Sequence, residues 1–184
     1  MTHSRLLART ALLFCVLSAH ASAQDPVSAQ DASAEPVTMS LEGLHEVTAA
    51  HILGTAELLD EEMYAYRPTE DVRTAGQLLA HIANAQYSFC SAAAGEDRPT
   101  QENVEEAATT KADIIAALRD SFDYCAAVYD GMTDAEGAEV RSVFGRDMAA
   151  SGALAFNSMH NYEHYGNLVT YMRLNGIVPP SSQP

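Results

Sequence analysis

The sequence predicts an all-α fold, a four-helix bundle, and three observations carry that prediction. Four segments place apolar residues at helical spacing, each is bounded by cap or stop residues, and no stretch shows the Val/Ile/Thr alternation of a strand. With 184 residues and 47% hydrophobic side chains, the chain can bury one ordinary core.

The first helix is expected to start with Ser40 as N-cap, with Glu42 and Glu46 near its positive end. Leu41, Leu44, Val47, Ile52 and Leu59 would line its inward face, and Pro68 forces an end near Tyr66 and Arg67. Thr74 opens the second helix with Gln77 as its capping-box partner, and Leu78, Leu79, Ile82 and Phe89 carry it to a stop at residues 93–95. A polar, acidic connection over residues 95–109 leads to the third helix. That helix begins at Thr110 with Asp113 three residues on, and Ile114, Ile115, Leu118, Phe122 and Val128 line it as far as Gly131. A loop over residues 133–146, with room for a short turn, precedes the fourth helix at about 148–174. Asn175, Gly176 and then Pro179 and Pro180 end it.

Residues 1–23 read as a cleavable secretory signal. Arg5 and Arg9 make a basic start, residues 11–18 form an apolar run too short to span a bilayer, and Ala21, Ser22 and Ala23 offer a cleavage site. Phe14 stands where a lipoprotein signal needs a small residue before Cys15, so lipidation is not expected. Residues 24–39, rich in Ala, Ser, Gln, Asp and Pro, read as a disordered linker, which leaves 40–184 as the bundle. The expected location is periplasmic or secreted. The net charge of -15 repels phosphate backbones and anionic lipid, so neither nucleic acid nor a membrane surface is an expected partner. Its simplest meaning is solubility.

Chemistry concentrates in the histidines. His160 and His164 stand four apart on one helix, which puts both imidazoles on one face where they can hold a single ion. That spacing is also common among solvated surface histidines. Asn157, His160, Glu163, His164, Asn167 and Tyr171 project onto one face, while Leu154, Phe156, Tyr162, Leu168 and Val169 form no clean apolar face opposite. A polar seam turned into the bundle accounts for both, since buried polar groups need partners such as a metal. His81, among Leu79, Ala80, Ile82 and Ala83, is the third candidate, though a hydrogen-bonded core histidine fits it equally well. Together His81, His160 and His164 would form a neutral three-nitrogen site with positions left for water or substrate. His45 and His51 on the first helix are weaker candidates. The spacing of His51 from Leu44 and Leu58 turns it inward.

The residues Ala80-His81-Ile82-Ala83-Asn84, the run His160-Asn161-Tyr162-Glu163-His164-Tyr165-Gly166-Asn167 and the tail from Tyr171 to Pro180 resemble the DinB/YfiT-like family. The similarity covers residues 41–182, and Tyr66-Arg67-Pro68 resembles the family's aromatic-x-Pro turn. The resemblance implies a bundle of up-down-down-up topology and a divalent ion held by His81, His160 and His164. It also implies kinship with thiol-dependent transferases and isomerases, and homodimers are common in such a family. The family's name, taken from induction by DNA damage, adds no DNA binding to the charge argument.

His160-Asn161-Tyr162-Glu163-His164 also matches H-x-x-E-H, an inverted zinc-protease signature. Such a protease needs a further acidic ligand downstream, and no acid follows Glu163. Glu163 remains the candidate catalytic base, flanking the two histidines. If the second and third helices run parallel, Cys90 and Cys125 each lie about fifteen residues into their helix and come level, which predicts a Cys90–Cys125 disulfide. An oxidising compartment favours the same pairing.

The functional expectation is a metal-dependent hydrolase or thiol transferase acting on a small molecule. Zinc is the leading ion, and nickel, cobalt or iron would bind similarly. The alternative is a non-catalytic extracytoplasmic metal-binding or stress-related bundle. A thiol cofactor is less expected outside the cytoplasm.

Overall fold

A computed structural model of the chain describes residues 34–183. The expected signal at 1–23 and the first ten residues of the expected linker lie outside the described residues. Four long helices form the body: α1 (Pro36–Leu58), α3 (Ala75–Ala94), α5 (Lys111–Gly131) and α7 (Ala150–Leu174). Between them come the short helices α2 (Glu61–Ala65), α4 (Val104–Ala107) and α6 (Asp134–Gly137), and a hairpin of β1 (Val140–Val143) and β2 (Arg146–Ala149). The mostly helical fold agrees with the sequence expectation.

Both expected capping boxes are present. Thr74 accepts from the Gln77 amide and Gln77 reaches back, and Thr110 and Asp113 do the same for α5. Gly95 ends α3 at a φ of 74°, the left-handed geometry that suits glycine there. The start of α1 differs from expectation. Ser40 lies inside the helix, its hydroxyl donating to the Pro36 carbonyl, and the helix begins four residues earlier within the stretch read as linker. The cap comes from far along the chain. The Asp134 carboxylate accepts from the amides of Val37 and Thr38 and from the Thr38 hydroxyl, at 2.9–3.2 Å. The Thr38 backbone bond leads the contacts that hold the Asp134 carboxyl below its usual range. No local pattern could announce an N-cap supplied 96 residues away.

The first helix also ends earlier than Pro68 implied. It stops at Leu58, and Asp60 caps a separate α2 by accepting from the Met63 amide. Leu44 and Val47 face solvent, and the buried stripe runs instead through Thr38, His45, Thr48, Ile52, Thr55 and Ala56. The hairpin is a further correction, since no strand was expected. Phe144 and Gly145 both take positive φ at its tip (49° and 76°), as a two-residue primed turn requires.

Cys90 on α3 is bonded to Cys125 on α5, and Gly76 near the start of α3 faces Ile114 near the start of α5, so these helices run in the same direction. Tyr171 reaches back to Arg73 and Asn157 reaches Cys90, so α7 runs against α3. Two apolar clusters form the core. One is built around Ile52, Leu59, Leu79, Ile82, Leu118, Leu168 and Met172, the other around Phe89, Cys90, Cys125, Tyr129, Val143 and Leu154. Three fully buried carboxamides, Gln86, Asn157 and Asn161, fall between these clusters along α3 and α7, with Gln86 Oε1 accepting from both asparagines. Among the described residues no helix is long and apolar enough to cross a membrane.

His45 is buried in the second region of the core, stacked on Tyr129 at 4.3 Å, and neither ring nitrogen has a hydrogen-bond partner. Burial lowers its pKa to about 4; the Phe122 carbonyl lies near enough to favour the charged form but outside bonding geometry. The unfolded chain, with an ordinary imidazole, therefore takes up this proton first as pH falls. Stability is intact above about pH 6.5 and declines between 6.5 and 4, by roughly 3 kcal/mol at the lower limit. Denaturant titrations at pH 7 and pH 4.5 should show the native protein losing more stability than His45→Phe. Equal losses would contradict the burial account.

Candidate metal centre

Three histidines from two helices meet at one point. His81 comes from the second turn of α3, and His160 and His164 come from successive turns of α7, which the antiparallel packing of α3 on α7 brings opposite. His160 Nε2 lies 3.3 Å from His81 Nε2 and 3.1 Å from His164 Nε2. One ligand atom from each residue falls within 4.8 Å of the others. His164 is buried, while His81 and His160 keep partial access to solvent. Burial lowers His160 to about 4, and neighbouring His164 and His81 push the same way. Burial also lowers His164, with His81 adding to it and Glu163 opposing. These rings are neutral at pH 7, the form that donates a lone pair to a metal.

Behind His81 stands a residue that sequence reasoning missed. Glu105 Oε1 lies 2.9 Å from His81 Nδ1, and because an ionised carboxylate only accepts, Nδ1 carries the proton and Nε2 presents its lone pair to the cluster. Glu105 sits on α4, in the connection between α3 and α5, and Asn84 ties that connection to α3. Asn84 Oδ1 accepts from the Arg98 guanidinium at 3.0 Å and the Val104 amide at 3.4 Å, and its Nδ2 donates to Glu105 at 3.4 Å. The second Glu105 oxygen is 3.8 Å from Arg73, a long pair in partly exposed surroundings that adds little stability. In sequence Glu105 belongs to an acidic run that reads as solvated surface. Only Asn84, one turn beyond His81, offered a hint.

The donor set fits a divalent ion. Tetrahedral coordination at ordinary metal–imidazole distances separates ligand nitrogens by about 3.3 Å, and the two Nε2 contacts match it at 3.3 and 3.1 Å. With the His81 Nε2 lone pair already turned toward the cluster, a cation can satisfy all three nitrogens at once, where a single proton on His160 Nε2 would be shared between two acceptors. The Nδ1 atoms of His160 and His164 are buried and unpartnered, so neither ring is committed to an alternative hydrogen bond.

Other candidates fall elsewhere. Glu163 is exposed on α7 and makes no hydrogen bond to the three histidines, and Asn167 is exposed as well. The seam that enters the bundle contains Asn157, Ser158, Asn161, His164 and Tyr171 instead. The buried arc of α7 centres on Asn157, Asn161 and Leu168, so Glu163 and Asn167, at the edge of the projected face, are left outside it. His51 stacks on Tyr165 at 5.1 Å, and His45 lies in the core, so neither joins the cluster.

Fold and site together define a helical bundle carrying a three-histidine cluster between two of its helices. Residues 25–168 match the family model of the DinB superfamily, and the chain belongs to that superfamily. The uncharacterised protein YjoA of Bacillus subtilis is 26% identical over 125 residues, covering 66% of this chain and 79% of YjoA. The crystal structure of YjoA superposes with a TM-score of 0.61 at 19% identity, over 78% of this chain and 98% of that one. A DinB-like protein from Bacillus cereus gives 0.62 at 18% identity, over 76% and 95%. A mycothiol-dependent maleylpyruvate isomerase gives 0.59 at 17% identity, over 71% of this chain and 60% of its own.

Proposed function

We propose that this chain is a metal-dependent enzyme, a hydrolase or thiol transferase, whose ion is held by His81, His160 and His164. The observation that carries the reading is the convergence of three histidine Nε2 atoms, two contacts at 3.1 and 3.3 Å, at a partly solvent-accessible point. Three imidazoles suit zinc, and nickel, cobalt or iron would fit the same donors. A bound divalent ion would supply Lewis-acid activation, lowering the pKa of a coordinated water or thiol toward neutrality.

The chain's own residues do the rest. Glu105 fixes the His81 tautomer and ring plane. Asn84 and Arg98 hold the α4 segment so that Glu105 stays in place. Glu163, whose charge reaches His164, is the carboxylate left free to accept a proton, because Glu105 is committed to His81. An open coordination position favours chemistry over a purely structural ion, since structural zinc sites use four protein ligands. The structural likeness to a thiol-dependent isomerase supports the transferase arm, while the expected periplasmic or secreted location supports the hydrolase arm. A small molecule is the expected substrate.

The test is turnover against panels of esters, amides and thiol-conjugation substrates, with metal-free protein alongside. Activity should appear with the loaded protein and vanish on chelation. Turnover that ignores metal removal would reject the proposal.

A further inference from the structure

Beside the histidine cluster lies a group of aromatic rings that the coordination site itself does not require. Phe89, buried on α3, has its ring centroid 5.4 Å from that of His160. Phe144 packs against Phe89 at 5.0 Å and 89°, and Phe156 does so at 5.1 Å and 69°. The buried ring therefore lies beneath the other two, which pack edge-on against it. Both stay open, with Phe144 67% and Phe156 40% exposed, and Met159 beside them on α7 is 56% exposed.

This arrangement is costly to fold. Phe144 stands at φ 49°, a left-handed conformation that aromatic L-residues adopt rarely and that Asn or Gly adopts freely. The turn thus sets an exposed ring in a strained position when a polar residue would serve the hairpin better. Exposed apolar surface that adjoins a polar, partly open centre is what a ligand with both characters would cover.

Resting on the metal reading above, we propose that the substrate joins a metal-binding head to a flat aromatic group, and that the aromatic group seats against Phe144 and Phe156 beside His160. One ring edge meeting a phenyl face accounts for a few-fold gain in affinity at each contact. The site would then prefer aromatic over short aliphatic carriers of the same head group, through surface the three histidines do not supply.

Cobalt(II)-loaded protein offers a direct readout, because its visible spectrum reports both metal loading and displacement of solvent. Benzohydroxamate and acetohydroxamate are then titrated against the native chain, Phe144→Ala, Phe156→Leu and Phe144→Asn. The native protein should favour benzohydroxamate by about tenfold, and each substitution should cut that ratio by about threefold. Phe144→Asn should melt no lower than the native protein, since it relieves the turn, which separates loss of binding from loss of fold. Leu174→Ala, exposed at the far end of α7, should leave the ratio unchanged. A normal cobalt spectrum with equal ratios in native and variant proteins overturns this inference and leaves the metal reading standing. Absence of any cobalt spectrum overturns both. Sedimentation showing a dimer that dissociates on substitution at Phe144, with the ratio unmoved, would assign the patch to a second copy and also overturn it.

Discussion

Replacing His160 with alanine is expected to remove tight metal binding altogether. His160 is the member whose Nε2 contacts both others, so its loss leaves only two nitrogen ligands, drawn from different helices and within 4.8 Å of each other. Glu105→Gln provides the graded comparison. It keeps the size of the side chain but replaces a charged acceptor with a neutral amide, weakening the hold on His81 without deleting a ligand. Outer carboxylates of this kind are worth about ten- to a hundredfold in metal affinity, so a lost ligand should cost more than about a hundredfold. Competition titration against a chromophoric chelator would measure both, with elemental analysis for stoichiometry. The expected order is native, then Glu105→Gln, then His160→Ala. A His160→Ala protein that still holds one ion tightly would end the three-histidine assignment.

The second large effect concerns the bond between Cys90 and Cys125. Both residues are fully buried, with Cα atoms 5.4 Å apart and a sequence separation of 35. Closing a loop of that length removes chain entropy from the unfolded state worth about 4 kcal/mol. Asn157 Nδ2 lies 3.7 and 3.8 Å from the two sulfurs, and both cysteines belong to the buried cluster that includes Tyr129 and Leu154. The double variant Cys90→Ala, Cys125→Ala should therefore melt about 10 °C lower. Peptide mapping without reduction should recover the two cysteine peptides as one cross-linked species. Two separate thiol peptides from freshly isolated protein, or an unchanged melting temperature, would contradict the assignment.

Local chemistry explains how much of this could be read in advance. The caps at Thr74 and Thr110 are settled by side chains three residues away, so the starts of α3 and α5 were legible. The start of α1 was not, because its cap is Asp134. Its inward face was misjudged for a related reason. Thr48, Thr55 and His45 are buried by the packing of α5 and α7, while Leu44 and Val47 face solvent, an arrangement that hydrophobicity alone ranks backwards. The hairpin escaped notice because two four-residue strands carry too short a pattern to register.

By itself the sequence determined the helical class, the caps of two core helices and the identity of three histidines worth bringing together. Spacing along one helix is a local property, so His160 and His164 had to share a face wherever that helix lay. Tertiary structure alone decided that His81 meets them, that Glu105 rather than a neighbour in sequence stands behind it, and that the polar seam enters the bundle through Asn157 and Asn161. Those outcomes depend on the register between separate helices and on a connection folded back across them. Distance in space between residues 24 and 79 positions apart is set by packing, which no stretch of chain encodes on its own.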